Sequence, residues 1–274
     1  QEIDPPHHRK YRNIVDPLIC PAGVAKLEGK IRQRAARLID RFLDDGECEF
    51  TTAFGRPLPV SVFLDIMGLP QDMLPTFVEW ADIRIQSQDP AEVGTAFGKA
   101  IAYLKSAIAE KQANPDDGVI SLIANAQIDG RPLSEKEVFG FVCFLWIGGR
   151  DTVYATLNNI WLWRARNPDR VQEIIDRPDD INAVVEELLR RYSVTFSSRY
   201  VTQDIELRGV KIRQGDRVMT CLPAANFDPE VFPEPLKVDF DRPRKTILAF
   251  TVGVHSCMGG HLARLEVKIA LQEW

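Results

Sequence analysis

A mainly α-helical fold with small β-sheets is the class this chain predicts, and three observations carry it. Long stretches place apolar residues three and four apart, the spacing of a helix face. One of them, Val138 to Ile147, is apolar on nearly all sides, as in a helix enclosed by others. Only between Arg199 and Thr220 does the period fall to two, in four short stretches. The chain has 274 residues, enough for one large domain, and residues 1–274 are read as a single one.

Composition is that of a globular protein, with 45% hydrophobic residues. Thirty-four Lys and Arg against 39 Asp and Glu leave a net charge of −5, which speaks against nucleic acid as a general partner. The five cysteines, Cys20, Cys48, Cys143, Cys221 and Cys257, are irregularly spaced and form no CxxC pair. That argues for a reducing compartment and against a disulfide or zinc framework. The longest uncharged apolar run, Val138 to Gly149, stops at Arg150, too short to span a bilayer. No signal peptide is visible. A cytoplasmic protein with no membrane partner is expected.

In chain order, Asp4-Pro5-Pro6 marks a helix start, since proline suits a first turn. His8 and Arg12, four apart, share one face of that helix, and Arg9 lies on an adjacent one. Residues Ala22 to Asp44 predict a strongly amphipathic helix, with Leu27, Ile31, Ala35, Leu38, Ile39 and Phe42 on one side. Further helices are expected over Val60–Met67, Met73–Gln86 and Ala91–Lys111. Gly68-Leu69-Pro70, Asp89-Pro90 and Asn114 to Gly118 separate or end them.

Ser134 and Glu137 form a capping box, with Leu133 and Val138 as its hydrophobic staple. The helix they open continues to about Arg166, roughly 50 Å at 1.5 Å per residue. In its middle stand Gly148-Gly149-Arg150-Asp151-Thr152. Two glycines cost a helix about 2 kcal/mol. Close approach of a ligand, or a local opening of the backbone ladder, explains keeping them. Asp151 and Thr152 then set a carboxylate and a hydroxyl beside the gap.

Asp179 or Asp180 can cap the next helix, Ile181 to Tyr192, in which Glu187 and Arg190 lie one turn apart and can pair. The alternating stretches Arg199–Thr202, Ile205–Leu207, Val210–Ile212 and Arg217–Thr220 follow, with turns at Arg208-Gly209 and Gln214-Gly215-Asp216.

The last feature is Phe250 to Gly260, where Cys257 sits among three glycines before a helical pattern. A thiol at a helix N-terminus meets unpaired N–H groups, here those of Met258, Gly259 and Gly260, which lower its pKa and stabilise a thiolate. Glycines let the backbone approach a large flat partner.

These residues resemble the cytochrome P-450 family, most nearly its soluble bacterial camphor-hydroxylase type. Phe250, Gly253, His255, Cys257 and Gly259 fill the five fixed places of the family's haem-binding loop, Phe-x-x-Gly-x-His/Arg-x-Cys-x-Gly. Gly148-Gly149-x-Asp151-Thr152, Glu187-x-x-Arg190 and the meander Asn226–Pro233 match its other motifs in the right order, and Asp116 to Ser134 resembles the loop that precedes the family's long central helix. The resemblance implies the P-450 fold, cut at both ends, without an N-terminal region and a C-terminal sheet. It implies heme b as cofactor, with Cys257 ligating iron. Phe250, His255 and Gly259 belong to its loop, and His8, Arg12, Arg199 and His255 hold its propionates. Asp151 and Thr152 manage proton delivery to dioxygen. Glu187 and Arg190 anchor the meander; Lys237 stands where many members carry the arginine that completes this network, so either Lys237 or Arg242 serves. Arg150 fills a variable place.

The implied activity is that of a haem–thiolate monooxygenase using O2. Phe144, Ile147, Gly148, Thr195 and Phe196 are the expected pocket lining, apolar and bulky. A small hydrophobic substrate of terpenoid or norisoprenoid kind is therefore expected. No flavin or nicotinamide fingerprint occurs, so electrons come from outside. The resemblance implies a [2Fe-2S] ferredoxin with its reductase, docking at Arg9 and Arg12. A haem–thiolate peroxygenase and a non-catalytic haem sensor are the alternatives, and Asp151-Thr152 weigh against both.

Overall fold

The computed structural model describes residues 3–149, 151–243 and 245–274, so Arg150 lies outside the described residues. Two compact units divide the chain: Gln1–Trp161 with Met258–Trp274, and Leu162–Cys257.

The first unit is helical. It contains α1 (His7–Ile19), α2 (Pro21–Ala25), α3 (Glu28–Ile39), α4 (Pro57–Met67), α5 (Leu74–Gln86), α6 (Pro90–Ala113), α7 (Val119–Ala124), α8 (Glu135–Gly148) and most of α9 (Asp151–Arg166). The second takes the end of α9, then α10 (Val171–Ile175), α11 (Ile181–Arg191) and α12 (Leu222–Asn226). The final helix, α13 (Gly260–Glu273), returns to the first. Among the described residues no helix is long and apolar enough to cross a membrane.

The core of the first unit gathers Val15 of α1, Leu64 and Met67 of α4, Phe77 of α5, Leu104 of α6 and Ile120 of α7 around one stripe of α8. That stripe is Val138, Val142 and Trp146, spaced four apart so that all three face inward. Each such side chain, fully buried, contributes about 1.5–3 kcal/mol.

Several expectations change on inspection. The helix predicted from Ala22 to Asp44 is two helices and ends at Ile39. At Lys26 and Leu27 the N–H groups bond three residues back, to Gly23 and Val24, which tightens the turn and restarts the helix. The predicted loop after Asp116 holds α7, because Val119, Ile120 and Ile123 bury one side of it. It also holds a minimal hairpin of β1 (Gln127–Ile128) and β2 (Arg131–Pro132). The long central helix is broken after Gly148, giving α8 and α9. Its apolar circumference is not wholly enclosed either: Phe144 is half-buried and Ile147 is 39% exposed.

The start of α8 has the capping box in full. Ser134 Oγ accepts from the Glu137 N–H at 3.3 Å, and the Ser134 N–H donates to Glu137 Oε2 at 2.8 Å. Arg131 adds two bonds to the same carboxylate, both 2.8 Å, and the Tyr11 hydroxyl donates to it at 2.6 Å. Arg131, then Tyr11 and Ser134, hold the Glu137 carboxyl far below the ordinary range.

In the second unit, β3 (Phe196–Tyr200) pairs antiparallel with β6 (Arg217–Cys221), and β4 (Ile205–Leu207) with β5 (Val210–Ile212). The first strand thus begins three residues before the predicted one. Asp180 stands at the N-cap of α11 without a side-chain capping bond; the 3₁₀ turn Pro178–Asp180 leads in instead.

Candidate functional site

Cys257 is exposed, two residues ahead of Gly259, the N-cap of α13. It stands therefore just before the helix rather than in its first turn. Its loop is braced by its own atoms. The Cys257 N–H donates to the Phe250 carbonyl at 2.8 Å, and Thr251 Oγ1 to the His255 carbonyl at 3.1 Å. Gly253 has φ +82°, a left-handed conformation that a side chain would strain. Val252 and Val254 are each 58% exposed, so the loop presents apolar surface beside a thiol.

The support for this loop is a buried charge network within the second unit. Arg190 grips Glu187 with two bonds of 2.8 Å and donates to the carbonyls of Asn226 (2.8 Å), Pro235 (2.8 Å) and Lys237 (3.1 Å). The Asp239 N–H donates to Glu187 at 3.0 Å. Arg242 supplies the second guanidinium, its Nε 3.2 Å from Glu187 Oε2. Lys237 offers the network only its carbonyl and is itself exposed. The question the sequence left open is thus settled for Arg242. Asn226 carries the connection on. While its carbonyl takes Arg190, its side-chain oxygen accepts from the Leu248 N–H at 2.7 Å, two residues before Phe250. Sequence reading placed Asn226 in the meander without seeing this link, because its partner is 22 residues away.

In the first unit, Asp151 and Thr152 open α9 directly after the glycine break. Thr152 is exposed; Asp151 is partly buried and ion-paired with Arg84 of α5. The two glycines differ. A Cβ on Gly149 would sit 3.0 Å from the Leu145 carbonyl and 3.2 Å from the Phe63 ring, whereas one on Gly148 would meet nothing within 4 Å. Gly149 is closely packed by Phe63 and the Leu145 carbonyl; Gly148 gives open approach to the backbone. Phe144, Ile147 and Gly148 lie on one side of α8, away from its buried stripe.

On α1, His8 and Arg12 are half-buried one turn apart, and Arg9 is exposed. Arg199 sits on β3 with its guanidinium on Ser197 Oγ (2.6 Å) and the Ser198 carbonyl (2.8 Å). Thr195 and Phe196 stand at the start of that strand, Phe196 56% exposed. Among the described residues no His, Cys, Asp and Glu group could hold a bare metal ion. Within the second unit the residues suit a porphyrin's iron instead: the exposed thiol of Cys257, the exposed Arg199 for an acidic substituent, and the exposed Val252 and Val254 for a flat apolar ring.

Known proteins bear on this set. The family model described as Cytochrome P450 matches residues 181–273. A probable cytochrome P450 127A1 of Sinorhizobium fredii is 35% identical over 275 residues, covering 100% of this chain and 66% of that protein. Cytochrome P450-terp of a Pseudomonas species is 32% identical, over 99% of this chain and 68% of its own. The solved structure of the bacillaene polyketide synthase cytochrome P450 PksS of Bacillus subtilis superposes with a TM-score of 0.91 at 28% identity, covering 98% of this chain and 70% of that one. The chain spans about two thirds of the length of the relatives it matches.

Proposed function

The chain belongs to the cytochrome P450 family, whose members are haem b oxidoreductases, and from that premise we propose that it serves a haem–thiolate monooxygenase acting on a small hydrophobic substrate. The observation that carries this reading is the exposed Cys257 on a self-braced loop tied back, through Asn226, to Glu187, Arg190 and Arg242. A ligand to iron has to be accessible and held still; this one is both.

When bound, haem b would supply the activation of dioxygen, a chemistry that thiolate ligation favours. The chain's residues do the rest. Cys257 would hold the iron. His8, Arg12, Arg199 and His255 would hold the propionates through charge-assisted hydrogen bonds, with Phe250 and Gly259 shaping the loop. Asp151 and Thr152 would hold and pass protons for that chemistry, Arg84 orienting the carboxylate. Phe144, Ile147, Gly148, Thr195 and Phe196 line the substrate side and exclude water. Their bulk and lack of charge favour a compact terpenoid or norisoprenoid. Electrons come from a [2Fe-2S] ferredoxin served by its reductase, docking at Arg9 and Arg12, and a cytoplasmic setting goes with such a partner.

Thr152→Ala tests the reading. Product per electron pair should fall and hydrogen peroxide rise, while the reduced carbon monoxide difference spectrum keeps its thiolate-ligated form. Unchanged coupling refutes the proton role. A normal carbon monoxide spectrum in Cys257→Ala refutes the whole assignment.

A further inference from the structure

Helix α9 begins directly after a break, so its first turn has no preceding helical turn to hold it. First turns fray unless something outside pins them. Asp151 and Thr152 sit on that turn. A polar stripe one turn further in supplies the pin. Asp151, Tyr154 and Asn158 fall at i, i+3 and i+7, on one face of α9. Each has a partner from elsewhere in the first unit. Asp151 pairs with Arg84 of α5. Tyr154 takes a 2.9 Å hydrogen bond from Arg56 Nη2, whose guanidinium carbon also lies 4.7 Å from the centre of its ring. Asn158 Oδ1 accepts from Thr51 Oγ1 at 3.2 Å, within the π-helical turn Thr51–Gly55 that leads into Arg56.

Arg56 is the unexpected member. It is 4% exposed at the head of α4, and its other side meets Asp82 of α5 in an ion pair. Its Nε has no hydrogen-bond partner among the described residues. An arginine buried with a donor unused is an expensive way to fill space, since replacing a buried ion pair whole by apolar side chains of similar volume is often neutral for stability. What the guanidinium does, and a leucine cannot, is join Asp82 on α5 to Tyr154 on α9. Two polar bridges then run from α5 to the first turns of α9: Arg84 to Asp151 directly, and Asp82 to Tyr154 through Arg56.

We propose that Arg56 is a positioning residue for Asp151 and Thr152, fixing the start of α9 against α5 through Tyr154 and Asp82. This rests on the reading of that pair as proton carriers, whose geometry has to hold to within an ångström.

The test uses the haem-loaded full chain and two readouts. One is amide hydrogen exchange over residues 152–158. The other is product formed per electron pair, set beside substrate dissociation constant. Arg56→Gln should speed exchange there about tenfold, the scale of one charge-assisted hydrogen bond, and lower coupling toward that of Thr152→Ala. Substrate affinity and the carbon monoxide spectrum should stay at wild-type values. Tyr154→Phe keeps the ring under the cation and loses only the hydroxyl, so it should fall between; it also decides the matter if Arg56→Gln does not fold. Arg56→Lys, which keeps the charge on Asp82, should recover part of the coupling. Unchanged exchange in both variants overturns the inference. So does faster exchange with wild-type coupling, which would leave Arg56 a purely structural residue. If Thr152→Ala itself leaves coupling intact, the proton-carrier reading has failed, and the role of Arg56 fails with it.

Discussion

Replacing Arg242 and Lys237 separately with alanine asks which cation completes the buried acid–arginine network, and the two costs can be worked from the contacts. Arg242 holds Glu187 through Nε at 3.2 and 3.3 Å and the carbonyls of Pro233, Glu234 and Lys237 through its remaining nitrogens. Hydrogen bonds to charged groups contribute about 1.5–3 kcal/mol each. Four of the five are long, at 3.1–3.3 Å, and the alanine variant leaves Glu187 its two 2.8 Å bonds from Arg190 and the Asp239 N–H. The loss therefore stays below the roughly 3–5 kcal/mol of a buried charge stripped of its partner. About 2–3 kcal/mol is expected, or roughly 3–6 °C in melting temperature for a chain of this size. Lys237 gives the network only a carbonyl, which alanine keeps, so its replacement should cost within about 0.5 kcal/mol. Thermal unfolding of the holoprotein, followed by far-ultraviolet circular dichroism and by the haem band, measures both. Arg242→Lys should recover less than half of the loss, because an ammonium cannot span Glu187 and three carbonyls at once. A loss in Lys237→Ala equal to that in Arg242→Ala would refute the reasoning.

Three further outcomes follow from other parts of the chain. Gly149→Ala should destabilise by about 1–3 kcal/mol through overpacking against Phe63, whereas Gly148→Ala should stabilise by up to about 1 kcal/mol while weakening substrate binding; melting curves and spectral titrations separate the two. Glu266, 1% exposed with one oxygen unpartnered among the described residues, has its carboxyl pushed well above the ordinary range by burial. Its contribution is fully present below the unfolded pKa and falls by about 1.4 kcal/mol per pH unit above it, until the folded pKa is passed. Urea unfolding of Glu266→Gln from pH 4 to 7 should therefore run flatter than wild type, and parallel curves would contradict it. Arg9→Glu, at an exposed position on α1, should slow electron transfer from an acidic ferredoxin and weaken its salt dependence, as stopped-flow reduction at two ionic strengths would show.

How much of this was legible in the sequence depends on how local the cause was. The capping box at Ser134 and the pairing of Glu187 with Arg190 are set by residues within one turn, and the spacing alone announced them; Gly148 and Gly149 marked where the central helix could open, but not that it divides into two. The two-helix form of residues 21–39 was not, because apolar periodicity runs unbroken through Lys26 while the backbone tightens there. Nor was α7, six residues long, which owes its existence to burial of Ile120 and Ile123 rather than to caps. Arg84 met Asp151 across 67 residues, and Arg56 met Tyr154 across 98. No periodicity connects such positions; only the packing of α4, α5 and α9 brings them together.

Each of the two units meets the same problem with the same device. A loop and a helix start are both weak places, with few backbone bonds of their own. In the second unit Arg190 and Arg242 collect the carbonyls of a meander that has no regular ladder, and Asn226 passes that order to Leu248. In the first, Arg56 and Arg84 collect the side chains of a helix turn that has no predecessor. A guanidinium suits both because it is planar, keeps its charge when buried, and donates in several fixed directions at once. Lysine offers one mobile point charge, which is why the exposed ammonium of Lys237, though near in sequence, takes no share in holding Glu187.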